Sequence, residues 1–104
     1  MTYDILIERD AHDARAKLPG NVRQRIARLI DDLAENPRPA QSKSLDISDL
    51  EIPEGVELLR IRMDKWRVIY AVNDEDAWVW ILAIRRRPPY DYEDLGDLAA
   101  RLDE

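Results

Sequence analysis

Arginines recur at strand spacing in the second half of this sequence and could together bind an anion. Arg60 and Arg62 are two residues apart, Arg67 follows a short turn signal, and residues 85–87 are all arginine. Because alternate side chains of a strand share one face of a sheet, arginines from three strands should converge. Guanidinium groups form paired hydrogen bonds with phosphate oxygens, so this cluster is typical of a phosphate-backbone site. The simpler alternative is an ordinary set of arginines on a solvated sheet face.

Several other chemistries lack the residue types that they need. The sequence has no cysteine, which excludes a disulfide framework, a thiol nucleophile and a cysteine-ligated zinc site. His12 is the single histidine, so neither a histidine metal cluster nor a Ser-His-Asp triad is expected. We therefore expect a site with no metal and no cofactor.

The charge is unevenly distributed along the chain. A net charge of −6 argues against unaided nucleic-acid binding by the chain as a whole. Residues 56–92 nevertheless hold seven basic and six acidic side chains, whereas the remainder carries −7. The acidic stretch over 91–104 is either a solvated face or a tail that folds over the arginines.

Nothing in the sequence indicates a membrane or a secretory route. Asp4, Glu8, Arg9 and Asp10 place charges where a signal peptide would be apolar. The longest unbroken apolar run, residues 77–84, is far shorter than a membrane span. We expect a cytoplasmic protein that makes no membrane contact.

Turn signals and hydrophobic periodicity divide the chain into short elements. Strands are expected over 2–8, 56–63, 66–73 and 77–85, with links of two or three residues between the last three. Helices are expected over 10–18 and from Asn21, an N-cap candidate, to the Asn-Pro-Arg-Pro stretch of 36–39. Residues 93–102 could form a last helix. This order predicts a single α+β domain over 1–104, with a small antiparallel sheet and two N-terminal helices packed on one face.

Strict alternation along the last three strands predicts which side chains the helices cover. The large apolar set is assigned to the helix side: Leu59, Ile61, Met63, Trp66, Val68, Tyr70, Val72, Trp78, Trp80, Leu82 and Ile84. The opposite face would carry the arginines at one end and an exposed apolar half at the other, formed by Leu58, Ile69, Ala71, Val79 and Ile81. A bare apolar area of this kind is typical of a partner-binding surface.

The segment over 66–72, Trp-Arg-Val-Ile-Tyr-Ala-Val, resembles the signature strand of the RelE/ParE toxin superfamily. In that superfamily an aromatic-Arg-hydrophobic-hydrophobic-Tyr run follows a strand that ends in basic residues. The next strand leads into an arginine and then a tyrosine, which here fall within 85–92. The Asn36-Pro37 exit of the second helix and the order of the elements also look like this family. The clustered arginines and the arginine-then-tyrosine ending favour its RelE branch.

The resemblance implies a type II toxin that cuts mRNA on the ribosome without a metal and is neutralised by a cognate antitoxin, in a hetero-oligomer. It implies catalytic roles for Arg60, Arg67, Arg87 and Tyr90. It implies substrate contacts for Arg62, Lys65, Arg85, Arg86 and Tyr92. Ribosome, mRNA and antitoxin are then the expected partners.

Two alternatives stay open. Arg60 stands where the resembled family often has a lysine or arginine, Leu58 stands where some relatives have a second lysine, and the net charge is −6. Arginine is a poor general base, since its pKa stays above about 12. One alternative is a ParE-like inhibitor that binds DNA gyrase without catalysis. The other is a superfamily member that has lost toxicity and serves as a protein-binding module.

Overall fold

A computed structural model describes residues 2–48, 50–86, 99, 100 and 102 of the chain. Seven elements follow one another along it: β1 (Asp4–Ile7), α1 (Arg9–Ala16), α2 (Gly20–Leu33), β2 (Ser42–Ser44), β3 (Val56–Met63), β4 (Trp66–Asn73) and β5 (Trp78–Arg86). The predicted strand, helix, helix and three-strand order is confirmed. The possible helix over 93–102 falls mostly outside the described residues.

The five strands form one sheet in the order β1-β5-β4-β3-β2. β3, β4 and β5 form the expected meander of two hairpins, and the short β2 adds an antiparallel strand to β3. β1 instead runs parallel to β5, so the sheet is mixed rather than wholly antiparallel. The α+β class is confirmed, and β2 is an addition from the stretch that showed no regular pattern.

The two helices cover one face of this sheet. In α2 the buried residues Ile26, Ile30 and Leu33 follow helical spacing and pack on the strands together with Ala11 of α1. Asn21 is not the N-cap of α2, because the helix already begins at Gly20, preceded by Pro19. The fixed φ of proline suits that position, and no side chain caps the helix there. No helix among the described residues is long and apolar enough to cross a membrane.

A β-bulge in β5 overturns part of the predicted face assignment. Ile69 pairs with Ala83 while Tyr70 pairs with Ile81, so Leu82 is an extra residue in β5. One extra residue inverts the alternation of side chains on either side of it. The residues before the bulge therefore lie on the face opposite to the one predicted. Val79 and Ile81 pack against the helices, whereas Trp78, Trp80 and Leu82 lie on the other face of the sheet.

The sheet face away from the helices, here called the far face, has its own apolar cluster. Leu58, Ile69 and Ala71 are fully buried there, and not exposed as predicted. Apolar side chains from the irregular stretch and from the end of the chain pack against this cluster: Leu45, Ile47, Leu50, Ile52, Ala99 and Leu102. The predicted open apolar surface is thus wrong for all five of its residues. Three are covered by the chain itself, and Val79 and Ile81 face the helices.

Candidate functional site

Three arginines lie side by side across the far face. Arg62 of β3 pairs with Arg67 of β4, and Arg67 pairs in turn with Arg85 of β5. Directly opposed residues place their Cβ atoms about 5 Å apart on the same face of the sheet. We call this set the arginine row. Like charges at directly opposed positions are destabilising to a sheet.

The three arginines of the row differ in how exposed their side chains are. Arg62 is exposed, Arg85 is half-buried, and the central Arg67 is only 1% exposed. Arg60 lies one register position further along β3, opposite Ile69, and is 9% exposed. Packing at Arg67 restricts its guanidinium to few orientations, while Arg62 remains open to a ligand. Arg62 is therefore the member of the row most accessible to a ligand, and Arg67 is the most enclosed.

The structure brings together four of the predicted site residues, Arg60, Arg62, Arg67 and Arg85. Arg86 pairs with Trp66, whose side chain packs in the helix-side cluster, so Arg86 lies on the other face. Lys65 is exposed in the two-residue turn between β3 and β4. The remaining three predicted residues, Arg87, Tyr90 and Tyr92, lie outside the described residues.

Comparisons with known proteins decide the family. Residues 5–88 match the family model described as the ParE toxin of the type II toxin-antitoxin system parDE. The chain belongs to this toxin family. A comparison with curated proteins found no match.

Solved structures of RelE toxins have the same fold as this toxin. The RelE–RelB complex from the archaeon Pyrococcus horikoshii matches with a TM-score of 0.73 and 29% identity, over 86% of this chain and 99% of that one. The RelBE2 toxin-antitoxin complex from Mycobacterium tuberculosis gives 0.65 and 23%, over 84% and 100%. A mutant E. coli RelE toxin in the free state gives 0.61 and 18%, over 97% of each chain. The toxin is thus a member of the RelE/ParE superfamily with RelE-like structural neighbours.

Lys43 is a basic residue of the far face that the sequence patterns did not reveal. It lies on β2 directly opposite Arg60, so its side chain shares the face of the arginine row. Its side chain is exposed. The strand that positions Lys43 is only three residues long and lies in a stretch without alternation, so no sequence signal could place it. The toxin thereby has an amine directly across from Arg60 on the far face.

A second polar cluster holds the opposite end of the sheet together. Arg38 donates to both carboxylate oxygens of Asp74, at 3.0 and 2.9 Å, and to Glu57 Oε1 at 2.8 Å. The Tyr3 hydroxyl donates to Asp74 Oδ1 at 2.7 Å, and the Ser44 hydroxyl donates to Glu57 Oε2 at 2.6 Å. Hydrogen bonds from Arg38 and Tyr3 lower the pKa of Asp74, and the bond from Ser44 contributes most to lowering the pKa of Glu57. This cluster ties five segments of the toxin together, at the end of β3 and β4 opposite to the arginine row.

The tyrosine of the signature strand has a structural role in this toxin. Tyr70 is fully buried, and its hydroxyl donates to the carbonyl oxygen of Pro37 at 2.8 Å. Burial raises the pKa of Tyr70 to about 12. The hydroxyl thus fixes the chain after α2 against the sheet and is not placed to exchange protons with a substrate.

Proposed function

We propose that this toxin is a cytoplasmic endoribonuclease that cleaves mRNA on the ribosome without a metal and so inhibits translation. The observation that carries the proposal is the arginine row, which joins three strands of the far face at one register position. Guanidinium groups match the oxygens of a phosphodiester and keep their charge at every physiological pH. An RNA backbone is the ligand whose charge and geometry fit this row best.

The reaction proposed is an attack within the RNA itself. The 2′-oxygen bonds to the neighbouring phosphorus, the bond from phosphorus to the 5′-oxygen breaks, and a cyclic phosphate remains. Arg62, the exposed member of the row, would hold the non-bridging oxygens, whose negative charge grows in the transition state, and the buried Arg67 and Arg60 would add positive charge behind it. Such preorganised donors are worth about 100-fold or more in rate.

Proton transfer needs a different residue type, because arginine does not give up its proton. The 2′-hydroxyl must lose a proton and the leaving 5′-oxygen must gain one. Following the resemblance to RelE toxins, we assign this role to Tyr90, with Tyr92 as its alternative and Arg87 as a further phosphate contact. Lys43 and Lys65 are amines near the same face that could supply the second proton step.

We also propose a cognate antitoxin as partner in a hetero-oligomer. The Pyrococcus and Mycobacterium neighbours were solved as complexes with RelB-type antitoxins. Because the apolar part of the far face is covered by the chain itself, the antitoxin would have to neutralise the arginine row with acidic side chains. An apolar segment alone would find little exposed apolar surface there.

The test is primer extension on mRNA from a translation reaction that contains the toxin. Arg62→Lys keeps the charge but loses the planar fork, so cleavage should fall about 100-fold. The matched control is Arg23→Lys, at an exposed position of α2, which should cleave like wild type. Intact mRNA with the wild-type toxin would contradict the proposal.

A second candidate function is supported by the family match itself, because the matching model is that of the ParE toxin. In this case the chain would bind DNA gyrase and would cleave no RNA. A supercoiling assay with purified gyrase separates the two. Inhibition of supercoiling together with intact mRNA would establish the ParE-like function.

A further inference from the structure

A groove of about 510 Å³ lies between α2 and the edge of β3. On one side α2 contributes Arg25, Arg28, Leu29 and Asp32, which are spaced so that they share one helix face. On the other side lie Ile61, Arg62 and Met63 of β3. β2 pairs with β3 only as far as Ile61, so within the described residues the edge of β3 has no strand neighbour beyond it. The groove runs along this open edge.

The charges along the groove favour an anionic occupant. Arg28 and Arg62 are both exposed at its walls. Arg25 forms an ion pair with Asp64 at 2.6 Å, which ties α2 to the turn between β3 and β4 and so fixes one end of the groove. Asp32 is the single acidic residue of its lining. With Arg25 paired to Asp64, Arg28 and Arg62 against Asp32 still leave the groove locally cationic in a protein of net charge −6.

Arg62 belongs to both the groove and the arginine row. It opposes Arg67 on the far face and also lines the groove at the edge of the sheet. A strand of RNA whose phosphate lies on the arginine row can therefore continue round the edge of β3 into the groove. Leu29 and Met63 offer apolar surface to a base there, and Gln41 offers an amide that can donate or accept.

We propose that this groove holds the nucleotide next to the scissile phosphate, with its phosphate between Arg28 and Arg62 and its base against Leu29 and Met63. The proposal rests on the proposed ribonuclease function and extends it by a second nucleotide-binding position. It assigns to α2 a share in substrate binding, which the arginine row alone does not require.

The experiment measures binding and cleavage separately in the full-length toxin. The binding probe is a fluorescent RNA hexanucleotide. Its riboses are 2′-O-methylated, so its 2′-oxygens cannot attack the neighbouring phosphates. Binding is measured by fluorescence anisotropy at several salt concentrations. Arg28→Gln should weaken binding about tenfold. The slope of the logarithm of the binding constant against the logarithm of the salt concentration should also become shallower by about 0.7. This is the change expected when one phosphate contact with a single strand is lost. The matched control, Arg23→Gln, removes the same charge from α2 outside the groove and should bind like wild type.

Other outcomes overturn the proposal in distinguishable ways. If Arg28→Gln and wild type bound the probe equally, with the same salt slope and intact mRNA cleavage, the groove would not be a nucleotide-binding site. The proposed ribonuclease function would be unaffected. If the wild-type toxin neither bound the probe nor cleaved mRNA, both would fail. If Arg28→Gln bound the probe normally but lost a co-expressed antitoxin, the groove would be a protein interface. Unchanged thermal midpoints for both variants show that the comparison is free of folding defects.

Discussion

Arg62 and Arg67 face each other directly across the β3–β4 hairpin, on the side of the sheet away from the helices. Two guanidinium groups in this relationship repel each other, and Arg85 extends the repulsion to a third strand. Directly opposed like charges cost a sheet stability, and an anion bound between them would offset that cost.

Anions should stabilise the wild-type toxin through this row. A ligand that binds only the folded state raises the thermal midpoint, and about 1 kcal/mol corresponds to about 4–8 °C in a domain of this size. We expect sulfate to raise the midpoint more than chloride at equal ionic strength. Because sulfate also stabilises proteins in general, the relevant quantity is the difference between wild type and Arg62→Gln. Equal shifts in the two proteins would show that the row holds no anion.

Lys43 should contribute to cleavage although its strand has only three residues. Replacing it by methionine keeps most of the stem and removes the charge. Loss of one charge-assisted contact near Arg60 should lower cleavage about tenfold in the primer-extension assay. Lys17→Met, beyond the end of α1, is the matched control and should have no effect. Full activity of Lys43→Met would show that β2 contributes no functional residue to the site.

The cluster around Arg38 predicts how stability depends on acid. The folded-state pKa of Asp74 lies below its ordinary value of 3.8. This carboxylate therefore stabilises the fold above that value, and the contribution is lost as the pH falls through the folded pKa. Asp74→Asn should flatten the loss of stability below about pH 4, as measured by urea midpoints. Asp31→Asn lies outside the cluster and should leave the acid slope unchanged.

The bulge predicts which residue of β5 matters most for stability. Ile81 is fully buried on the helix side, so Ile81→Ala should cost roughly 2–5 kcal/mol of unfolding free energy. Leu6, on the neighbouring strand β1, is 47% exposed, and Leu6→Ala should cost about 1 kcal/mol or less. Urea denaturation compares the two. Equal costs would mean that Ile81 is no more buried than Leu6, contrary to the structure.

The sequence predicted the fold better than it predicted the surfaces. Helical spacing in α2 and the turn at Asp64 are local signals, so they were interpreted correctly. The bulge at Leu82 has no such signal, because residues 77–84 are apolar without a break and either alternation fits them. The covering of Leu58 and Ile69 also depends on distant residues, which approach only after the chain has folded. The convergence of Arg62, Arg67 and Arg85 was predictable because strand register follows from short turns.

The parallel pairing of β1 with β5 affects how the toxin can form during its own synthesis. Asp4 of β1 pairs with Trp78 of β5, so β1 has no strand to pair with until β5, the last described strand, has been made. The packing of α1 against the sheet is delayed in the same way, because α1 packs on β5. Arg85 arrives on that same strand and completes the arginine row. A growing chain thus carries no complete arginine row until β5 has been made.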